Sequence, residues 1–405
     1  ILWLLAPNDI LYTSIFVYIV FGVIWQSVAV SMRIIPYTPG IEFLNPWDDV
    51  PAWWEPFPYG SIGSVGVGLG IALWLVWRLR HRIKQLISTL RGEDIVEHGL
   101  SLKSVTWFGI ASMVAWVVLL TAAGSPFLMN LGMVVILILY AILVARIWAM
   151  FYWHTQQFTD NSFALEVPYY VGSQLGYWNP MENFGSWDNP NPSAAWYVYN
   201  RTQWAVGTWT MMFHTLTSGS LVNLYKIAHY NQLNLKHVMI LTIMCSTVFV
   251  VLGQVITYWI LGHSGGYANT NAWEWTLWAP EGGYWSGSDW GPTRYSFQND
   301  LIYMIGGALV AIAIYLIRLR FAWFFISPEA LYANLFLPNY CWLAAAIALI
   351  VKTTGIRTVG IRRFEEYIMP AAAGVVIGFG APWFLAMLVN FANVAWPRFM
   401  SLFVP

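Results

Sequence analysis

Five side chains in this chain stand where a polar path could cross an apolar protein: Arg146, His214, Thr217, Ser218 and Lys226. His214 could relay protons, because an imidazole changes charge near neutral pH. It sits near the middle of the stretch 201–230, which is long enough to cross a bilayer, a distance that takes about 20 apolar residues. The same stretch carries hydroxyls from Thr202 to Ser220 and glycines at Gly207 and Gly219. Hydroxyls in hydrocarbon need partners, so this segment belongs inside a bundle or beside a wet cavity. Thr217 and Ser218, with Gly219, could offer hydroxyls or open backbone to a ligand, or simply tie helices together. His214 could equally be a buried histidine bonded to a neighbouring hydroxyl. Lys226 closes the stretch. Arg146 lies toward the end of another apolar run, where it either reaches the headgroups or faces the protein interior. Its place near a helix end favours the headgroups.

Other chemistries lack their residues. No His-x-x-x-His or Cys-x-x-Cys pattern occurs, and no carboxylate–histidine set, so no metal ligands are assigned. Haem would need histidines on facing helices, and His214 is the only one in mid-segment; no cofactor is assigned. No hydrolase or phosphate motif is present, and no catalytic residue is assigned, so the chain is not read as an enzyme. The GVGLG at 66–70 follows no strand and lies in a segment of lipid length; it reads as close helix packing through small residues. Cys245 and Cys341 fall in or beside apolar segments and read as small core residues.

The elements that must position these groups are membrane helices. Of 405 residues, 58% are hydrophobic and 9% charged, against about 25% charged in a soluble domain. The net charge is zero, which gives no surface for nucleic acid. The fold class is therefore all-α: a polytopic transmembrane helix bundle, one integral membrane domain over 1–405. Apolar runs are expected at 10–32, 61–77, 105–123, 128–153, 238–261, 299–317 and 367–390, with shorter ones at 321–336 and 340–351. The last residues, 396–405, read as an interfacial amphipathic piece. Gly374 and Gly378 in the last run form a small-residue packing pattern. Three aromatic-rich loops, 33–60, 154–200 and 262–298, hold many of the 26 Trp and 22 Tyr.

Charge gives the topology. Lys and Arg mark the cytoplasmic side, which places the basic stretches 78–103, 226–237 and 352–363 there. Between 153 and 226 the chain must then cross an even number of times, yet only 201–226 is long and apolar enough. It either enters and returns, or pairs with a half-span in 163–196. The conflict recurs between Arg320 and Lys352, where 321–336 and 340–351 read as a hairpin of half-helices around Pro328 and Pro338. Glu329 would begin one of them. Two discontinuous segments in different halves of a membrane protein point to a transport site.

Several stretches in order carry a family resemblance: HRIKQLISTLRG (81–92), LVARIWA (143–149), LYKIAHYNQLNLKH (224–237), IRLRFAWFFISP (317–328) and AAIALIVKTTGIRTVGIRRFEEYIMPAAAGVVIGF (345–379). From about 81 to 390 the chain resembles the C-terminal portion of the oligopeptide transporter (OPT) superfamily, in a prokaryotic, largely archaeal branch. The resemblance implies an α-helical secondary transporter with re-entrant hairpins near its substrate path, moving peptides or metal chelates with proton coupling. It also implies an N-terminal part preceding Ile1. The aromatic region after Arg146 and the enlarged loops depart from that pattern.

The expected function is a multi-pass secondary transporter of the cell membrane, working by alternating access, its partners the lipid bilayer and a small-molecule substrate. The alternative is a non-transporting anchor or scaffold subunit of an envelope complex, binding protein partners through its Trp/Tyr-rich loops. A homo-oligomer is compatible with either reading.

Overall fold

The computed structural model describes residues 2–34, 66–97, 99–151, 218–263, 297–335 and 338–401, with short pieces at 167, 185–186 and 189–190. The described residues are almost entirely helical. In chain order they form α1 (Asn8–Ser31), α2 (Gly68–Arg78), α3 (Arg80–Leu90), a two-strand hairpin β1 (Val96–Glu97) and β2 (Leu100–Ser101), α4 (Leu102–Ala122) and α5 (Phe127–Phe151). After these come α6 (Ser218–Tyr230), α7 (Leu235–His263), α8 (Phe297–Arg320), α9 (Pro328–Leu335) and α10 (Pro338–Val359). The chain continues as α11 (Ile361–Asn393) and ends in a short α12 (Trp396–Ser401). Among the described residues, seven helices are long and apolar enough to cross a membrane. The protein is a helical membrane protein.

Local chemistry sets the boundaries. Ser101 caps α4, accepting a hydrogen bond from the Ser104 amide at 3.2 Å. The turn to α5 uses Gly124 at φ +103, a conformation that suits glycine. Beneath it Ser125 donates to Asn130 at 2.7 Å, and Asn130 donates to Thr121 at 3.0 Å, so the polar groups of this tight hairpin are satisfied internally. α10 continues through Lys352 to Val359, past the expected end at 351, and stops at Gly360, φ +82. The Lys352 ammonium donates to the Ala6 carbonyl at 2.6 Å, so it finds a partner without the helix ending. α1 contains a π-helical stretch, Tyr18–Trp25, and α11 contains two, Phe364–Ile368 and Phe391–Ala395.

Glycines in α2 and just before it explain how the core closes. A Cβ on Gly66 would lie 2.6 Å from the Met304 carbonyl oxygen, and one on Gly70 2.5 Å from that of Ala308. α2 and α8 therefore meet backbone to backbone. Gly68 faces the other way, against the rings of Tyr332 and the methyls of Leu143. By contrast Gly374 and Gly378 of α11 meet nothing within 4 Å, so the expected packing role of that pair is not realised within the described residues.

The prolines expected to start half-helices do start helices, α9 at Pro328 and α10 at Pro338, but α9 is only 8 residues long and α10 is 22, longer than the half-helix expected at 340–351. Proline suits the first helical position, where its missing N–H is not needed. Three contacts fix the path. Arg318, near the end of α8, pairs with Asp9 at the start of α1. Lys352 reaches Ala6. Trp342 stacks on Tyr18 with ring centroids 4.3 Å apart. α10 thus runs antiparallel to α1 and starts beside a residue about 15 Å along it. The chain leaves α8 at the basic end, enters the bundle through α9 and returns to the same end in α10. Trp342–Val359 has the length and composition of a span, but its start lies part-way into the bundle.

The other parity conflict is framed in the same way. α4 and α5 form an antiparallel hairpin, so α5 ends at the level where α4 begins, beside β2. Asn234, in the turn after α6, lies against Gly99 of the β-hairpin. Both ends of 152–230 therefore lie at one end of the bundle. The path between them, where a re-entrant segment is expected, lies outside the described residues apart from α6, which packs on α5.

Candidate functional site

Glu329 follows Pro328 in the first turn of α9. Ser327 precedes that turn and accepts from the Ala330 amide at 3.4 Å. An acid in a first helical turn is favoured by the helix dipole. The carboxylate is only 1% exposed, and an unpaired buried charge would cost several kcal/mol. It is paired instead. Arg146 Nε and the Tyr315 hydroxyl each donate to Oε1 at 2.8 Å, and the Ser327 hydroxyl donates to Oε2 at 2.8 Å. Glu329 lies in the connection between the spanning helices. Burial pushes its carboxyl up, but the Arg146 charge and the hydrogen bonds overcome this and hold it below the ordinary carboxylate range.

Three helices bring these partners together. Arg146 comes from the last turns of α5, Tyr315 from the last turns of α8, and Trp74 from α2 stacks on Tyr315 with centroids 5.4 Å apart and planes 9° from parallel. Arg146 and Glu329 line a cavity of about 330 Å³ together with Trp74, Tyr315, Arg78 and Arg318. Leu75, Met150 and Leu319 complete its apolar wall. Arg146 is 38% exposed and meets Glu329 through Nε alone, so the carboxylate does not take up the terminal guanidinium nitrogens. The strongest Arg–carboxylate pairs use two parallel bonds.

A second polar layer holds α9 against α1. Thr13 donates to the Phe325 carbonyl at 3.2 Å and accepts from the Ser327 amide at 2.9 Å. Asn334 donates to Ser14 at 2.9 Å. Every residue of α9 is buried. A short helix carrying Glu329 and Asn334 is thus fixed at both ends by hydrogen bonds rather than by apolar packing alone.

Of the five residues singled out in the sequence, only Arg146 belongs to this site. It faces the interior and the cavity, not the headgroups, because a buried carboxylate waits there. His214 and Thr217 lie outside the described residues, as does most of each aromatic-rich loop, 33–60, 154–200 and 262–298. Ser218 is the first residue of α6, its side chain outside the described set. Lys226 is exposed on α6, its ammonium 6.0 Å from the centre of the Tyr230 ring, and it does not line the cavity. Glu329, Tyr315, Ser327, Arg78 and Arg318 were missed as a group. Arg78 and Arg318 read as topology markers and Glu329 as a helix start. The available signal was a lone acid, Glu329, in the short stretch between Arg320 and Lys352. Among the described residues no three His, Cys, Asp or Glu come together as a metal site.

No curated protein and no solved structure gives a significant match to the chain. Residues 198–399, about half the chain, match a family of unknown function (DUF6785). The matched portion contains Tyr315, Arg318, Ser327 and Glu329, whereas Arg146, Arg78 and Asp9 precede it. The C-terminal half of this protein is similar to that family.

Proposed function

We propose that this protein is a secondary transporter of OPT-like type in the cell membrane, with the basic stretches 78–103, 226–237 and 352–363 on the cytoplasmic side. The observation that carries the reading is the Arg146–Glu329 pair. An ionised side chain buried inside a helical membrane protein is costly and marks functional paths more often than structural ones. Here the carboxylate rides on a re-entrant half-helix, beside a cavity, at the junction of α2, α5 and α8. Discontinuous helices around such a site are the usual architecture of alternating access. Peptides or metal chelates are the substrate class that the resemblance suggests, with protons as the coupling ion. No enzymatic step is invoked.

The test is thiol accessibility in sealed vesicles. In a variant lacking Cys245 and Cys341, single cysteines at Met150 and Leu319 would report on the cavity. A transporter gives labelling by an impermeant reagent from the basic side that changes under an imposed proton gradient or with a peptide or metal-chelate substrate. Labelling that stays constant under all these conditions would replace transport with the anchor or scaffold role.

A further inference from the structure

We propose that the cavity beside Glu329 binds an oxyanion, a carboxylate or phosphate group, through Arg146, Arg78 and Arg318. As the identity of a cargo, this rests on the transport reading; as a binding site it stands alone. The charge count favours an anion. Among the described residues, three arginines line the cavity against one acid, Glu329. Arg318 is met by Asp9 from α1. Arg146 is met by Glu329 through Nε only. Arg78 makes no ion pair with any described residue. Among the described residues, the exposed Arg78 guanidinium and the part of the Arg146 guanidinium that Glu329 does not engage are therefore left to face the cavity.

The acid is not available to a cation. Glu329 accepts two hydrogen bonds on Oε1 and one on Oε2. A cationic ligand would have to displace Arg146 or Tyr315 to reach it, and would meet three guanidinium groups. An oxyanion meets donors instead. Guanidinium geometry suits planar and tetrahedral oxyanions, and the stacked Trp74–Tyr315 pair offers a flat wall for a short organic body. At about 330 Å³ the cavity is at the small end of ligand pockets, roughly 300–1,000 Å³. Arg78 and Arg318 stand at helix ends, at the level where anionic headgroups would sit. The ligand could thus be a free solute or a lipid headgroup, and the two share this chemistry.

The experiment uses the full chain in an uncharged detergent. Inorganic phosphate and citrate are titrated at fixed ionic strength, with chloride as control, and binding is read by calorimetry and by the thermal unfolding midpoint. The chain is also placed in phosphatidylcholine nanodiscs with and without phosphatidylglycerol. Saturable binding of phosphate or citrate is expected, weaker by about tenfold in Arg78→Gln, as for one charge-assisted hydrogen bond. It should vanish in Arg78→Gln/Arg146→Lys. Lysine keeps a positive charge opposite Glu329, so this variant tests the fork without stranding the carboxylate. If soluble anions fail but phosphatidylglycerol raises the midpoint of the wild type and not of the double variant, the occupant is a headgroup and the site stands. If neither probe binds, or both variants bind as tightly as the wild type, the inference is overturned. Binding without movement of the anion across a vesicle would remove the transport reading and leave the site.

Discussion

At the scale of single residues, the buried carboxylate of Glu329 dominates. Removing its cation should cost more than removing both groups, because a lone buried charge has no good alternative. Arg146→Met is expected to destabilise the protein by about 3–5 kcal/mol, at the lower end because Arg146 is partly exposed. The double variant Arg146→Met/Glu329→Gln should recover most of that loss. Thermal unfolding in detergent checks both. The pH dependence follows from the depressed carboxyl. Glu329 binds its proton less readily in the folded protein than in the unfolded chain. Its contribution is therefore complete above the unfolded value of about 4.3, and it is lost as pH falls through the lower folded value. Between pH 6 and 3 the wild type should lose stability more steeply than Glu329→Gln, and equal slopes would show that other carboxylates govern acid unfolding.

At the scale of elements, two local devices shape the site. Glycine spacing brings α2 against α8. A methyl at Gly70 would meet the backbone of Ala308, which cannot move aside as a flexible side chain can. Gly70→Ala should cost about 1–3 kcal/mol, as for other overpacked positions, and should separate the Trp74–Tyr315 stack. Gly378→Ala, open on all sides within the described residues, should change the unfolding midpoint little. The second device is the pair of prolines that begin α9 and α10. Proline at a helix start was readable from sequence. The continuation of α10 past Lys352 was not, because the Ala6 carbonyl that receives its ammonium is 346 residues away.

At the scale of the whole molecule, the bundle has a basic end. The end of α2, the start of α4, the turn after α6 and the end of α10 share it. Single cysteines at Arg91, Gln232 and Arg362 should therefore label from one face of sealed vesicles, and one at Gly124 from the other. Labelling of Gln232 from the face of Gly124 would break the arrangement of α6 and α7. The outward faces of α7 and α11 are rich in exposed apolar side chains such as Leu241, Trp383 and Met387, as helices facing lipid require.

Hydropathy along the chain is enough for the class of the protein and for six of the seven long apolar helices among the described residues, most to within a few residues; the span expected at 61–77 is the 11-residue α2 there, and α10 reaches span length where a half-helix was expected at 340–351. Hydropathy, proline position and basic clusters are local properties, and the bilayer makes them decisive by forbidding unpaired backbone. The role of Arg146 is set by packing. Near a helix end it could have reached outward, and it turns inward because Glu329, 183 residues later, is carried to its side by α9. Nothing in either neighbourhood specifies that meeting. It depends on the close contact of α2 with α8 and on the hydrogen bonds that pin α9 to α1. Those bonds join residues more than 300 positions apart, so they are set by packing rather than by local pattern.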